Sequence, residues 1–104
     1  MSKDYEEFIQ NNIKKNLDFD TELQVTIDIS MYPIKKEFIK PIKSFIQKIN
    51  TYKNLKITTY PTCTVVQGEF KHAMQSVQEC ILACNKDCRS IYVMKVIPGY
   101  KALD

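Results

Sequence analysis

Hydrophobic and polar residues alternate without a break over residues 23–32, LQVTIDISMY. A repeat of two places successive side chains on opposite faces, which is typical of a β-strand with one buried face. The apolar residues predict the face that packs against a layer of helices. The polar residues of the opposite face are Gln24, Thr26, Asp28, Ser30 and Tyr32. This strand is the clearest element that the sequence predicts.

Shorter patterns predict the other elements. Apolar residues at helical spacing predict three helices, over 4–16, 36–51 and 70–88. Runs rich in β-branched residues predict three more strands, over 55–60, 62–68 and 90–97. The second and third strands are joined by a short connection containing Pro61, which indicates an antiparallel hairpin. Pro98-Gly99 predicts a turn after the last strand, and a tail follows it.

Pro41 lies inside the apolar pattern of the second predicted helix. A proline in a helix interior removes a backbone hydrogen bond and clashes with the residue four positions earlier. A helix that begins near Glu37 would place Pro41 in or just past its first turn, where proline is tolerated. The alternative is a kink at this position.

The order of the elements is one helix followed by β-α-β-β-α-β. This is the order of ferredoxin-like folds, and right-handed crossovers place the first and third strands in the centre of the sheet. We therefore expect an α+β protein, a ferredoxin-like βαββαβ sandwich with an antiparallel four-stranded sheet and an extra N-terminal helix. Residues 1–20 would form the helical extension, and residues 21–104 the ferredoxin-like, ligand-binding domain.

Length and composition narrow the function without assigning one. The chain has 104 residues, enough for a single core, and its net charge of +3 is spread over interspersed charges. The densest lysines, within 35–43, alternate with apolar residues as on the wet face of a helix, so we expect no nucleic-acid site. The apolar runs fall far short of the roughly 20 residues of a membrane span, and the polar N-terminus does not resemble a signal peptide. We expect a cytoplasmic protein without membrane contact.

The sequence carries no motif for catalysis. Its two glycines cannot form a phosphate-binding loop, and neither a nucleophile elbow nor a paired His–carboxylate motif occurs. The single histidine, His72, has no catalytic or metal-binding partner nearby in the sequence. We therefore expect a protein that is not an enzyme and holds neither a metal nor a cofactor.

Four cysteines are the remaining candidates for chemistry. Cys80, Cys84 and Cys88 follow one another at intervals of four, on the apolar stripe of the last predicted helix. Structural zinc sites usually take closely spaced cysteine pairs from two segments, and only Cys63 could supply the second segment. We interpret the cysteines as small buried residues of the core. A metal or redox site is the alternative.

One face of the predicted sheet is covered by no helix. Asp28 lies on this face. If the last strand turns its odd-numbered residues the same way, Lys95 lies near Asp28, beside the apolar Ile91 and Val93. A face that combines hydroxyls, charges and apolar side chains suits either a ligand or a sheet-to-sheet contact between subunits.

Several short motifs follow one another in a characteristic order within residues 23–97. The first strand ends in Ser30, Tyr32 and Pro33; the helix after it carries Phe38 and Ile39; the third strand carries Thr64, Val66 and Gly68; and the last strand carries Lys95. In this order and spacing the sequence resembles the YkoF-like family of thiamine- and hydroxymethylpyrimidine-binding proteins and their small single-domain relatives. The N-terminal helix and the cysteine stripe depart from that pattern.

The resemblance implies a ferredoxin-like fold, binding of thiamine or its hydroxymethylpyrimidine precursor without chemical conversion, and assembly into a homodimer or homotetramer through sheet contacts. Hydroxyls can donate to or accept from an aminopyrimidine, an aromatic side chain can stack on it, and an acid can attract a thiazolium cation. The candidate ligand-binding residues are Asp28, Ser30, Tyr32, Thr62, Thr64 and Lys95.

Two points stay open at the level of sequence. Val65 and Val66 are both apolar, so the alternation does not assign Thr64 to either face. The function also has an alternative, an oligomeric structural or regulatory domain that binds no small molecule and fills its open face with a partner subunit.

Overall fold

The computed structural model describes residues 2–13 and 23–103. Its elements are α1 (Lys3–Ile13), β1 (Gln24–Pro33), α2 (Ile39–Ile49), β2 (Lys56–Thr59), β3 (Thr64–Glu69), α3 (Phe70–Asn85) and β4 (Ser90–Pro98). This is the predicted order of one helix followed by βαββαβ. The boundary predicted at residue 20 lies outside the described residues. Within the described part of the chain, no helix is both long enough and apolar enough to cross a membrane.

The four strands form one antiparallel sheet in the order β2-β3-β1-β4. The central strands are β1 and β3, as right-handed crossovers require. The structure therefore confirms the predicted α+β fold of the ferredoxin-like type. Strand β4 lies at one edge of the sheet, paired with β1 alone.

The core lies between the sheet and the helices α2 and α3, which cover the same face. From β1 it receives Val25, Ile27 and Ile29, with at most 2% of their surface exposed. Phe45 of α2 and Val77 of α3 pack into the same cluster. The alternation of β1 is thus explained by the fold, because every second side chain enters this core.

Pro41 is accommodated at the start of α2, which begins at Ile39. The Glu37 carboxylate accepts hydrogen bonds from the backbone N–H groups of Ile39 and Lys40, at 3.1 and 3.3 Å. The N–H that proline lacks falls in the first turn, where helical N–H groups have no partner within the helix. The early helix start that the sequence predicted is correct, and the alternative of a kink is unnecessary.

The tail after β4 covers part of the face opposite to α2 and α3. Gly99, with a φ of +77°, turns the chain back toward the sheet. Thr26 and Gln67, cross-strand partners on β1 and β3, then bind the backbone of residues 100–103 through hydrogen bonds of 2.6, 2.7 and 3.1 Å. Both side chains are at most 3% exposed as a result. The part of this face around Thr26 and Gln67 is therefore not open to solvent.

The cysteines of α3 and the segment after it are buried, as predicted. Cys80, Cys84 and Cys88 are free thiols with at most 8% exposure. No group of three or more side chains suited to a metal ion occurs among residues 2–13 and 23–103. Burial raises the pKa of the Cys80 thiol to about 11 and also raises that of Cys84. These thiols are therefore protonated at neutral pH, as small core residues.

The cysteines give a test of this arrangement by chemical labelling. At pH 8 we expect the half-buried Cys63 to react first with a thiol reagent, and the other three to react only on unfolding. Mass spectrometry of the labelled peptides would identify the order, and a Cys63→Ala variant should lose the fast phase. A second fast thiol in α3 would contradict the buried assignment.

The same thiols predict how stability depends on pH. The pKa of Cys80 lies above its ordinary value of 9.0 in the folded protein. The unfolded chain therefore releases this proton first as the pH rises, so the contribution to stability is complete below pH 9 and is lost toward pH 11. Urea unfolding across this range should show the decline, and a Cys80→Ala variant should show less of it.

Candidate functional site

The predicted site residues of β1 and β4 share the face of the sheet that lies away from the helices, which we call the open face. Asp28 pairs directly with Lys95 across the two strands, and Ser30 and Tyr32 follow on β1 at intervals of two. Lys95 therefore lies beside Asp28, which the sequence predicted on the condition that the odd-numbered residues of the last strand share this face.

The same end of the open face is apolar and exposed. Ile91 lies opposite Tyr32, and Val93 lies opposite Ser30. These three large side chains, Tyr32, Ile91 and Val93, are 51–56% exposed. We call them the apolar patch. Together with Asp28, Ser30 and Lys95 they form a surface of mixed polar and apolar character.

The structure does not bring Thr64 to this surface. Thr64 pairs with Ile29, whose side chain lies in the core, so Thr64 points toward the helices and is only 5% exposed. Its hydroxyl lies 3.3 Å from the hydroxyl of Thr59 on β2. The single cluster that the sequence predicted is therefore divided between two faces. The reason is register, because cross-strand partners in an antiparallel pair lie on the same face.

Thr59 and Thr64 lie in a cleft between α2 and the ends of the strands. Apolar side chains from β1 and α2 form its walls: Ile29, Met31, Ile42, Phe45 and Ile46. Residues 60–63, which connect β2 to β3 and which we call the rim turn, form its outer edge. The cleft thus combines apolar walls with the hydroxyls of Thr59 and Thr64 and the aromatic side chains of Phe45 and Tyr60, in the pattern of a small-molecule site.

The cleft is small in the conformation described here. Its volume is about 70 Å³, whereas an engineered apolar cavity that admits benzene measures about 150 Å³. A ring could enter this cleft only if the rim turn moves or if a flexible side chain such as Met31 changes rotamer.

The rim turn is held from the open face. The Ser30 hydroxyl donates a hydrogen bond of 3.0 Å to the backbone carbonyl of Thr62. Within the turn, the backbone N–H of Tyr60 donates to the carbonyl of Cys63 at 2.8 Å. Thr62, predicted as a site residue, is thus bound to Ser30 on one side and borders the cleft on the other. The ends of β1 and β3 do meet, as the predicted topology requires.

The electrostatic environment of Cys63 also belongs to the open face. Burial raises the pKa of its thiol, and the Asp28 carboxylate raises it further. A hydrogen bond with Thr62 and the positive charge of Lys95 act in the opposite direction. The pKa of the Cys63 thiol therefore depends on both charges of the Asp28–Lys95 pair. Cys63 also borders the cleft.

Sequence reasoning missed the cleft because its walls are read as ordinary core residues. One signal was present in β2. Ile57 and Thr59 share a face, since they pair with Val66 and Thr64 on β3. Thr59 thus places a polar side chain on the otherwise apolar face that β2 turns toward the helices. A polar group at that position indicates a site between the helices and the sheet.

The chain matches no family model and no curated protein. It does resemble solved structures. A putative thiamine biosynthesis/salvage protein from Thermotoga maritima matches with a TM-score of 0.67 and 27% identity, over 76% of this chain and 85% of that one. A hypothetical protein from Methanocaldococcus jannascii matches with a TM-score of 0.65 and 21% identity, over 78% of this chain and 84% of the other.

A third likeness is to a domain of unknown function from Bacillus cereus, with a TM-score of 0.62 and 18% identity, over 75% of this chain and 79% of that domain. The three comparisons place the chain among small α+β proteins of the ferredoxin-like type. A protein with a thiamine-related name is among these structural neighbours.

Proposed function

We propose that this protein binds thiamine or its hydroxymethylpyrimidine precursor in the cleft between α2 and the rim turn. The class of ligand is the one implied by the resemblance of its motifs to the YkoF-like family. One observation carries the proposal: the hydroxyls of Thr59 and Thr64 lie 3.3 Å apart inside a cleft with apolar walls. An aminopyrimidine edge presents both donors and acceptors, and hydroxyls can serve either. The likeness to the Thermotoga maritima protein supports the class of ligand.

The apolar walls suit the ring of such a ligand. Phe45 and Ile42 of α2 face Ile29 and Met31 of β1 across the cleft, and apolar contact with both faces of a planar ring adds to the polar recognition at its edge. The rest of the ligand would extend past the rim turn toward solvent. In this arrangement Asp28 and Lys95 lie on the opposite face of the sheet and do not contact the ligand.

We further propose that binding proceeds without chemical conversion. Among the described residues, the polar side chains that border the cleft are the hydroxyls of Thr59, Tyr60, Thr62 and Thr64 and the thiol of Cys63. Burial raises the pKa of that thiol, which keeps it protonated. Donors and acceptors of this kind can recognise a ligand, but a nucleophile or a general base needs an ionised or activated group.

Replacement of Thr64 by valine should weaken ligand binding about five- to 150-fold, because a buried polar group that loses its partner costs about 1–3 kcal/mol. Valine keeps the β-branched shape, so the strand should persist. Titration calorimetry with thiamine and with hydroxymethylpyrimidine would measure the change.

A matched control is Thr51→Val, which removes a hydroxyl bonded to the Lys48 carbonyl at the end of α2 and outside the cleft. The Thr51→Val variant should bind thiamine and hydroxymethylpyrimidine with the same affinity as the unmodified protein. If the unmodified protein gives neither heat nor a thermal shift with either compound at millimolar concentration, the proposed function is wrong.

A second candidate function is supported by the apolar patch. Tyr32, Ile91 and Val93 expose more than half of their surface on one side of the sheet, and contiguous exposed apolar side chains mark interaction sites. We propose that the open face forms a homodimer contact. The protein would then be an oligomeric domain, with or without a ligand in the cleft.

A further inference from the structure

The cleft presents a physical problem for the proposed ligand. Its volume of about 70 Å³ is too small for a ring in the conformation described, and its outer edge is the rim turn, a short connection of four residues. The position of that turn therefore sets whether a ring can enter. The question is which residues hold the turn.

A contact that holds it comes from the other side of the sheet. Ser30 binds the carbonyl of Thr62 at 3.0 Å. Thr62 and its neighbour Cys63 both border the cleft. An open-face side chain is thus joined to the edge of the cleft.

We propose that Ser30 is a positioning residue for the cleft: from the open face it fixes the rim turn, and it does not contact the ligand. This inference rests on the proposed function for its second test but not for its first. It revises the role that the sequence suggested for Ser30, because its side chain lies on the face opposite to Thr64.

The physical basis is the length and flexibility of the connection. A turn of four residues between two strands has few internal restraints, and here its described backbone hydrogen bond is the one from Tyr60 to Cys63. The bond from Ser30 fixes its middle, at Thr62. Loss of that bond frees a backbone carbonyl to solvent and lets the turn sample other positions, at a cost in pre-organisation of the site.

The first test needs no ligand, because Cys63 reports the state of the turn. Iodoacetamide alkylation of Cys63, followed by mass spectrometry of its peptide, should be about two- to tenfold faster in a Ser30→Ala variant, in line with the value of one hydrogen bond. The matched control is Thr51→Val, which removes a similar hydroxyl–carbonyl bond elsewhere. An unchanged rate in Ser30→Ala would overturn the positioning role.

The second test measures affinity for thiamine by calorimetry. Ser30→Ala should bind about two- to tenfold more weakly than the unmodified protein and the Thr51→Val control. Faster alkylation with unchanged affinity would show that the turn moves without affecting the cleft, and would overturn the inference. Weaker binding with unchanged alkylation would make Ser30 a ligand contact, which also overturns it. Absence of binding in the unmodified protein would refute the proposed function, while the alkylation results would still decide whether Ser30 positions the turn.

Discussion

Ile27→Ala is expected to lower the free energy of unfolding by about 2–5 kcal/mol, the range measured when large apolar core residues are truncated. Ile27 lies on a central strand, is fully buried, and has Val66 and Val96 as cross-strand neighbours on the helix-facing side. Truncation removes its apolar contacts and leaves a cavity that the surrounding strands cannot close. The loss is a large fraction of the roughly 5–15 kcal/mol that stabilises a small domain.

Ile97→Ala is the matched control for this prediction. Ile97 lies on β4 with its side chain on the open face, opposite Thr26, and 41% of its surface is exposed. Urea unfolding should give a loss well below that of Ile27→Ala, since about two fifths of the side chain is already in water. Equal losses in the two variants would mean that the two faces of the sheet are buried to the same extent, contrary to the structure.

The sequence predicted the faces of β1 because this strand is long and its alternation is regular. A period of two, once it is clear over eight or more residues, assigns each side chain to a face without knowledge of the neighbouring strands. The residues of β4 are almost all apolar, so its faces were predicted only on the condition that its odd-numbered residues share the face of Asp28. The register of β1 with β4 meets that condition by pairing Asp28 with Lys95.

Thr64 could not be placed in the same way. Strand β3 has six residues, and Val65 and Val66 carry the same polarity in succession. Its faces are then set by the register with β1, which depends on where the rim turn ends. A slip of one residue would move Thr64 to the open face. Turn geometry at this precision is not contained in a hydrophobic pattern.

The tail and the cleft depend on contacts between distant parts of the chain. The bonds from Thr26 and Gln67 to residues 100–103 join segments more than 30 residues apart. Similarly, the cleft forms because the apolar face of α2 meets the rim turn. Local patterns predict that each of these elements exists, but the space between them is a property of the packed structure.

Val93→Glu is expected to convert the proposed homodimer into a monomer of 12.2 kDa. Val93 lies in the middle of the apolar patch, between Ile91 and Lys95 on the exposed side of β4, and is 51% exposed in the single chain. A stable homodimer contact would bury this patch. A carboxylate without a partner in such an interface costs about 3–5 kcal/mol, or at least a hundredfold in association.

Sedimentation velocity at micromolar concentration would measure this change, and Leu82→Glu separates the open face from other surfaces. Leu82 on α3 is 61% exposed and lies beside Met94, in an apolar groove on the helix side of β4. If the open face forms the contact, Leu82→Glu stays dimeric while Val93→Glu dissociates. The reverse pattern would move the interface to the groove between α3 and β4. A monomeric unmodified protein would leave the apolar patch without this role, and the ligand cleft would then have to function within a single chain.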